Sequence, residues 1–210
     1  RIIAQADKLV VGGTVSEYQN LDVVVFTAVP VPLVRGLSLI GLPVDEPSAL
    51  SASGLALQVS EQGGEVAQVI RWDPGPQSYV VWSAASPEAN DFEVRAGQAY
   101  FVLAAVPSAN GAWSVSAAPF LEPVPLTFVA GLNMVSVPFS ATTSGYDAPG
   151  LADAVAQQGG EVAQIASWDP DRQGFELWSA ASPAANVFTI AAGKGYFVLV
   201  AQPTAQPFAP

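Results

Sequence analysis

The sequence predicts a mainly β protein: two tandem homologous antiparallel β-sandwich-like domains, each with one short helix, behind an N-terminal β-strand extension. Three observations predict it. A 42-residue stretch occurs twice at a constant offset of 96, over residues 62–103 and 158–199, with 26 positions identical. In each copy, runs of β-branched and aromatic residues are separated by turns of Asp, Pro and Gly. Each copy also holds one short stretch with Leu and Val four apart, a helical spacing. Self-similarity of this length defines the structural unit, so the chain divides into an extension over 1–30 and two β repeats over 31–120 and 121–210.

The elements follow in order. Residues 8–15 and 21–28 read as strands separated by SEYQN, and Pro30-Val31-Pro32 reads as a break after them. Each repeat opens with a strand, residues 37–42 or 132–137, stopped by Pro43 or Pro138. A polar loop leads to a helix over 54–62 or 150–158, with Pro149 suited to a first turn and Gly63 or Gly159 to a helix end. Strands over 65–72 and 161–168 run into WDPGPQ and WDPDRQ, turns that send residues 79–82 and 175–178 back antiparallel. Short strands over 92–94 and 188–190, and longer ones over 100–104 and 196–200, follow the loops SAASPEAN and SAASPAAN. The first repeat then adds residues 112–117 as a strand, and 125–129 read as the lead strand of the second. After Val200 the second repeat has no such strand.

Composition excludes several function classes. A formal charge of −11, from 18 acids against 7 bases, argues against nucleic acid and against an anionic membrane surface, both of which need Lys and Arg. No apolar run reaches the roughly 18 residues of a membrane span, and no basic-apolar leader precedes the repeats. The expectation is a soluble, mature product without membrane insertion. There is no cysteine, hence no disulfide and no thiolate ligand, and no histidine, hence no His general base, Ser-His-Asp triad or common zinc site. The chain reads as a non-enzyme, with no catalytic residue, no metal site and no cofactor.

Three aromatic pairs recur at equal positions: Trp72 and Trp168, Trp82 and Trp178, Tyr100 and Tyr196. Aromatic platforms that stack on sugar rings are one use for them. No polar cluster accompanies them in sequence, so they read as repeat core, where aromatics dominate burial. Asp73, Asp169 and Asp171 could offer oxygens to calcium, but Asp beside Pro or Gly is ordinary turn chemistry and no DxDxDG run exists. Glu65, Asp73, Glu88 and Glu93 are the carboxylates from which a glycosidase pair would be drawn, and nothing in the sequence brings two of them together.

Gly131-Leu-Asn-Met-Val-Ser-Val-Pro138, a helix ending QGG, an aromatic-Asp turn with a following Trp, and Ala192-Gly-Lys-Gly-Tyr-Phe-Val198 form a frame. It resembles a β module repeated in secreted and cell-surface bacterial proteins, which runs Gly-Trp-Asn-Leu-x-Ser-x-Pro and later Gly-x-Gly-Tyr-Phe-Val. The first copy departs from the pattern at Ser38, in place of Asn, and at Ala99, in place of the second Gly. The resemblance implies an extracellular or cell-surface β-rich building block and brings no catalytic residue with it.

The strand over 21–28 stands where a unit's closing strand would stand, yet no unit precedes it. Leu21, Val23, Val24, Val25, Phe26 and Ala28 make it apolar on both faces, as suits a strand buried on both sides. The expected function is therefore a structural subunit of an extracellular filament or surface assembly, its partner a further copy of itself. That strand would be donated to the second repeat of the neighbour. The alternative is a carbohydrate-binding or adhesive module, with a polysaccharide as partner.

Overall fold

The structure, a computed structural model, describes residues 9–11, 14–16, 27–44, 50–117, 120, 124–137 and 146–210. Residues 21–26, which carry Leu21, Val23, Val24, Val25 and Phe26, lie outside the described residues. The chain is mainly β, its sheets antiparallel, with two helices among the described residues. Where one strand was expected over 8–15 there are two, β1 (Leu9–Val11) and β2 (Thr14–Ser16), paired with each other. The sequence sets two glycines between these triplets, Leu-Val-Val and Thr-Val-Ser, the spacing of a two-residue hairpin.

The first copy comprises β3 (Thr27–Pro32), β4 (Gly36–Gly41), α1 (Ala52–Glu61), β5 (Glu65–Asp73), β6 (Ser78–Ser83), β7 (Ala99–Val106) and β8 (Ala112–Ala117). Four strands form a sheet in the order β4-β7-β5-β6, and β3 pairs with β8 in a separate two-stranded sheet. The second copy comprises β9 (Gly131–Val135), α2 (Ala148–Gln157), β10 (Glu161–Asp169), β11 (Gly174–Ser179) and β12 (Tyr196–Gln202), with the sheet order β9-β12-β10-β11. Even the irregularity repeats: the β5–β7 register shifts on both sides of Val66, and the β10–β12 register on both sides of Val162.

Each helix is short, and its ends are held locally. Ser51 Oγ accepts the Gly54 N–H at 3.0 Å and Asp147 Oδ1 accepts the Gly150 N–H at 2.7 Å, caps that contribute about 1 kcal/mol each. The apolar stripes, Leu55 and Val59 or Leu151 and Val155, are fully buried against the sheets. The segments expected as strands over 92–94 and 188–190 are single bridges, Ser51 to Glu93 and Asp147 to Thr189, beside the helix caps.

Pro30 and Pro32 do not break the chain; they lie inside β3. Leu33 N–H donates to Gly111 O, which makes the odd-numbered residues the ladder-bonding ones. The prolines occupy the positions whose nitrogens face away from β8, where an edge strand tolerates them. Val31 between them is fully buried opposite Trp113.

The closing element also differs from the sequence expectation. Phe208 pairs with Leu126 as Trp113 pairs with Val31, each N–H donating to the other's carbonyl at 2.7 Å. Phe208 is fully buried in the second core. The side chain of Gln62 donates to Ser114 O at 3.0 Å and accepts from Ser114 N–H at 2.7 Å; Gln158 does the same with Ala209, at 2.9 and 3.1 Å. Among the described residues the second copy is thus closed by a single rung where the first has six, and residues 125–129, expected as a strand, contribute only the Leu126 bridge. A lone buried aromatic and one glutamine leave no β periodicity to read.

Candidate functional site between the two copies

The central strands are apolar on both faces, which one core cannot explain. In β7, Tyr100 and Val102 point into the first core while Ala99 and Phe101 point the other way; in β12, Tyr196 and Val198 face the second core and Phe197 faces out. The outward residues meet in a third cluster: Leu39, Ala99 and Phe101 from the first copy with Met134 and Phe197 from the second, flanked by Leu37, Ile70, Trp72, Leu132, Ala166 and Trp168. Phe101 and Phe197 lie 5.9 Å apart between ring centroids. Burying each contributes roughly 1.5–3 kcal/mol.

Contacts across this cluster are reciprocal. Trp72 Nε1 donates to Leu132 O at 2.7 Å, and Trp168 Nε1 donates to Leu37 O at 2.8 Å. Gln77 Nε2 donates to Leu132 O at 3.1 Å while its Oε1 accepts from Leu132 N–H at 3.0 Å; Gln173 holds Leu37 in the same way, at 2.9 Å for both bonds. Gly41 N–H donates to Gly193 O at 3.0 Å and Ser136 N–H to Gly97 O at 3.1 Å. Such contacts, repeated with the copies exchanged, are the pattern of an isologous interface built within one chain.

The two glutamines were not singled out in the sequence. Gln77 and Gln173 have φ of 53° and 50°, the left-handed region, which aims their amides across the interface. They press on Gly131 and Gly36, whose φ values are +98° and +100°. A Cβ there would lie 3.0 Å from Gln77 Oε1 or 2.9 Å from Gln173 Oε1, so glycine is required twice over. The available signal was a glutamine kept in two turns, WDPGPQS and WDPDRQG, in which the residues on either side of it differ.

At the centre, equivalent residues meet. Gly41 and Ser136 occupy the same repeat position, and a Cβ on Gly41 would fall on the Ser136 side chain. Ala99 and Gly195 are likewise equivalent; a Cβ on Gly195 would lie 2.6 Å from the Ala99 Cβ and 2.7 Å from Leu39 Cγ. The departure at Ala99 thus has a steric cause: one member of the pair fills the shared space and the other is glycine. Ser136 Oγ is buried there without a hydrogen-bond partner among the described residues.

Trp72 and Trp168 therefore differ from the repeat-core expectation. They are half-buried, and they serve the boundary between copies, not either core. Trp82 and Trp178 lie buried in the two cores, their indoles donating to Pro87 O at 2.8 Å and Pro183 O at 3.0 Å. Tyr100 and Tyr196 are also buried there, and burial pushes both phenols up to about 12. The Tyr100 hydroxyl accepts from Arg95 N–H and donates to Gln98 Oε1; that of Tyr196 accepts from Ala191 N–H and donates to Thr189 O. Ala28 stands in β3 opposite Ser116 of its own copy. The turn aspartates hold their own loops: Asp73 Oδ1 accepts from Gly75 N–H, and Asp169 Oδ1 from Asp171 and Arg172 N–H. Those bonds, that from Arg172 first, keep the Asp169 carboxyl below its usual range.

Beside the interface the two copies form equivalent notches of unequal size. One, of about 200 Å³, is lined by Trp72, Pro74, Gly97, Gln98, Thr127 and Val135 among others. Its counterpart, of about 20 Å³, is lined by Trp168, Pro170, Gly193, Lys194, Pro32 and Ile40. β6 and β11 are sheet edges on which Tyr79, Val81, Phe175 and Leu177 are exposed, Phe175 lying at the margin of the interface with its ring 6.5 Å from that of Phe101. Tyr79 packs edge-on against Trp72 at 4.8 Å, and burial on that side raises its phenol pKa. No family model, curated protein or solved structure matches the chain.

Proposed function

We propose that the protein is a structural subunit of an extracellular filament or surface assembly, made of two tandem homologous β-sandwich-like domains and joined to its neighbours by strand pairing. The observation that carries this reading is the unequal closing ladder. In the first copy it runs six rungs, from Thr27 with Ala117 to Pro32 with Ala112; in the second it is Leu126 with Phe208. Val29 and Pro30 face Val115 and Ser114, whereas their equivalents Val124 and Pro125 have no paired strand among the described residues. Unpaired backbone beside a core is an acceptor for an added strand.

The segment ahead of β3 supplies the donor. Ala28 stays with β8 of its own copy, so the donated residues are 21–26, with Leu21, Val23, Val24, Val25 and Phe26 covered on both faces by the neighbour. A contact between the front of one subunit and the second copy of the next is heterologous, and repetition grows a filament. The reciprocal packing of the two copies gives such a subunit a stiff body. Deleting residues 1–26 and imaging the product by negative-stain electron microscopy tests the reading. The intact chain forms filaments, and the shortened one stays monomeric with its first copy folded. Filaments from the shortened chain, or an intact chain that stays monomeric at high concentration, would falsify strand donation.

A further inference from the structure

The two notches provide an internal comparison. Each is built by a Trp and a Pro of one turn, a Gly and its neighbour from a second turn, and strand residues of the other copy. Five pairs of lining side chains differ: Gln98 against Lys194, Thr127 against Pro32, Asn133 against Ser38, Met134 against Leu39 and Val135 against Ile40. The result is about 200 Å³ in one and about 20 Å³ in the other. The smaller has room for a water at most, while the larger displaces about six or seven waters at their share of liquid volume, the size of one substituted six-membered ring.

The lining of the larger notch selects the chemistry. Trp72, Pro74, Pro125, Leu126, Met134 and Val135 give apolar walls, and no ionisable side chain lines it. Gln98 Oε1 is committed to the Tyr100 hydroxyl, which leaves its amide N–H groups without a partner among the described residues; the Thr127 hydroxyl is equally free. Asn133 is already spent, bonded to Val129 N–H and O. A surface that sets apolar walls beside a larger share of neutral polar atoms suits a ring with C–H faces and hydroxyl edges, and with no charged group in its lining it disfavours a charged one. We propose that this notch binds one neutral hexopyranose residue, with Trp72 against the ring face and Gln98 and Thr127 on its hydroxyls. The site is independent of strand donation.

Nuclear magnetic resonance titration of the intact chain, following the Trp72 indole and the Gln98 side-chain amide, tests it. Probes are glucose, galactose, mannose, their neutral oligosaccharides and glucuronic acid. Saturable shifts confined to these groups with at least one neutral sugar support the site, and a dissociation constant lower for the oligosaccharide than for its monomer marks a polysaccharide as the source. Equal constants mark the free sugar. Thr127→Pro with Gln98→Lys copies the closed notch and weakens binding at least about tenfold, equivalent to about 1.4 kcal/mol. Should that variant melt early, Gln98→Lys alone serves, read by the same shifts. Pro32→Thr with Lys194→Gln opens the second notch and adds shifts at Trp168. No saturable shift with any neutral sugar, binding by glucuronic acid as strong as by glucose, or an unchanged constant in the folded closed variant overturns the proposal.

Discussion

The two copies share the large aromatic and helix positions of their cores, and where they face each other they match at the rim and differ at the centre. Tyr100, Trp82, Leu55 and Val59 have Tyr196, Trp178, Leu151 and Val155 as counterparts, buried to the same degree. The substitutions that matter gather at the shared boundary: Gly41 against Ser136, Ala99 against Gly195, Gln98 against Lys194, Thr127 against Pro32. Two equivalent side chains that converge on one point cannot both occupy it, so a duplicated unit packed against its twin has to become unequal at its centre. A freely repeating module has no such constraint.

The comparison can be broken most severely at the closing elements. Trp113→Ala and Phe208→Ala each empty a fully buried aromatic position, and each should cost about 3–5 kcal/mol in urea unfolding. A Phe208 variant that loses under about 1 kcal/mol would mean that the single rung does not close the second core. Alkali comes next. Burial raises Tyr100 and Tyr196 from 10.0 to about 12, so the folded chain keeps both protons after an unfolded chain has released them. The stability is complete below about pH 10 and is lost as pH rises toward 12, by on the order of 2–3 kcal/mol per tyrosine. Melting curves recorded with phenolate absorbance should show the two falling together; a midpoint unmoved across that window rules the linkage out.

The centre gives a sharper test of smaller size. Gly195→Ala drives a Cβ into Ala99 and Leu39 and should cost about 1–3 kcal/mol. Combining it with Ala99→Gly should recover most of that loss, because the pair then holds one methyl again, on the other copy. A double variant no more stable than the sum of the singles shows that the two sites do not share space. The smallest effects belong to the clamps. Gln77→Ala and Gln173→Ala each remove three hydrogen bonds at an exposed rim, two across the boundary and one within the turn, and should cost about 1 kcal/mol apiece, equal within error if the interface is reciprocal.

What the sequence by itself determined is the repeating unit. Its four central strands, its short helix, its turns and the inward side of Trp82, Tyr100, Trp178 and Tyr196 follow from local spacing, because a period of two or of four residues records which face is apolar. The β7 and β12 runs already carried the other half of the message, apolar on both faces, but a run cannot say what covers its second face. Only the tertiary structure decided that the cover is the other copy. From that single fact follow the half-buried Trp72 and Trp168, the glutamines that grip Leu132 and Leu37, and the glycine demanded opposite Ser136. The same holds for Pro30 and Pro32, legible as a break until β8 lies on one side of them only, and for Phe208. A residue whose partner is about eighty positions distant leaves no period in the chain, since the contact that fixes it exists only once the sheet has formed.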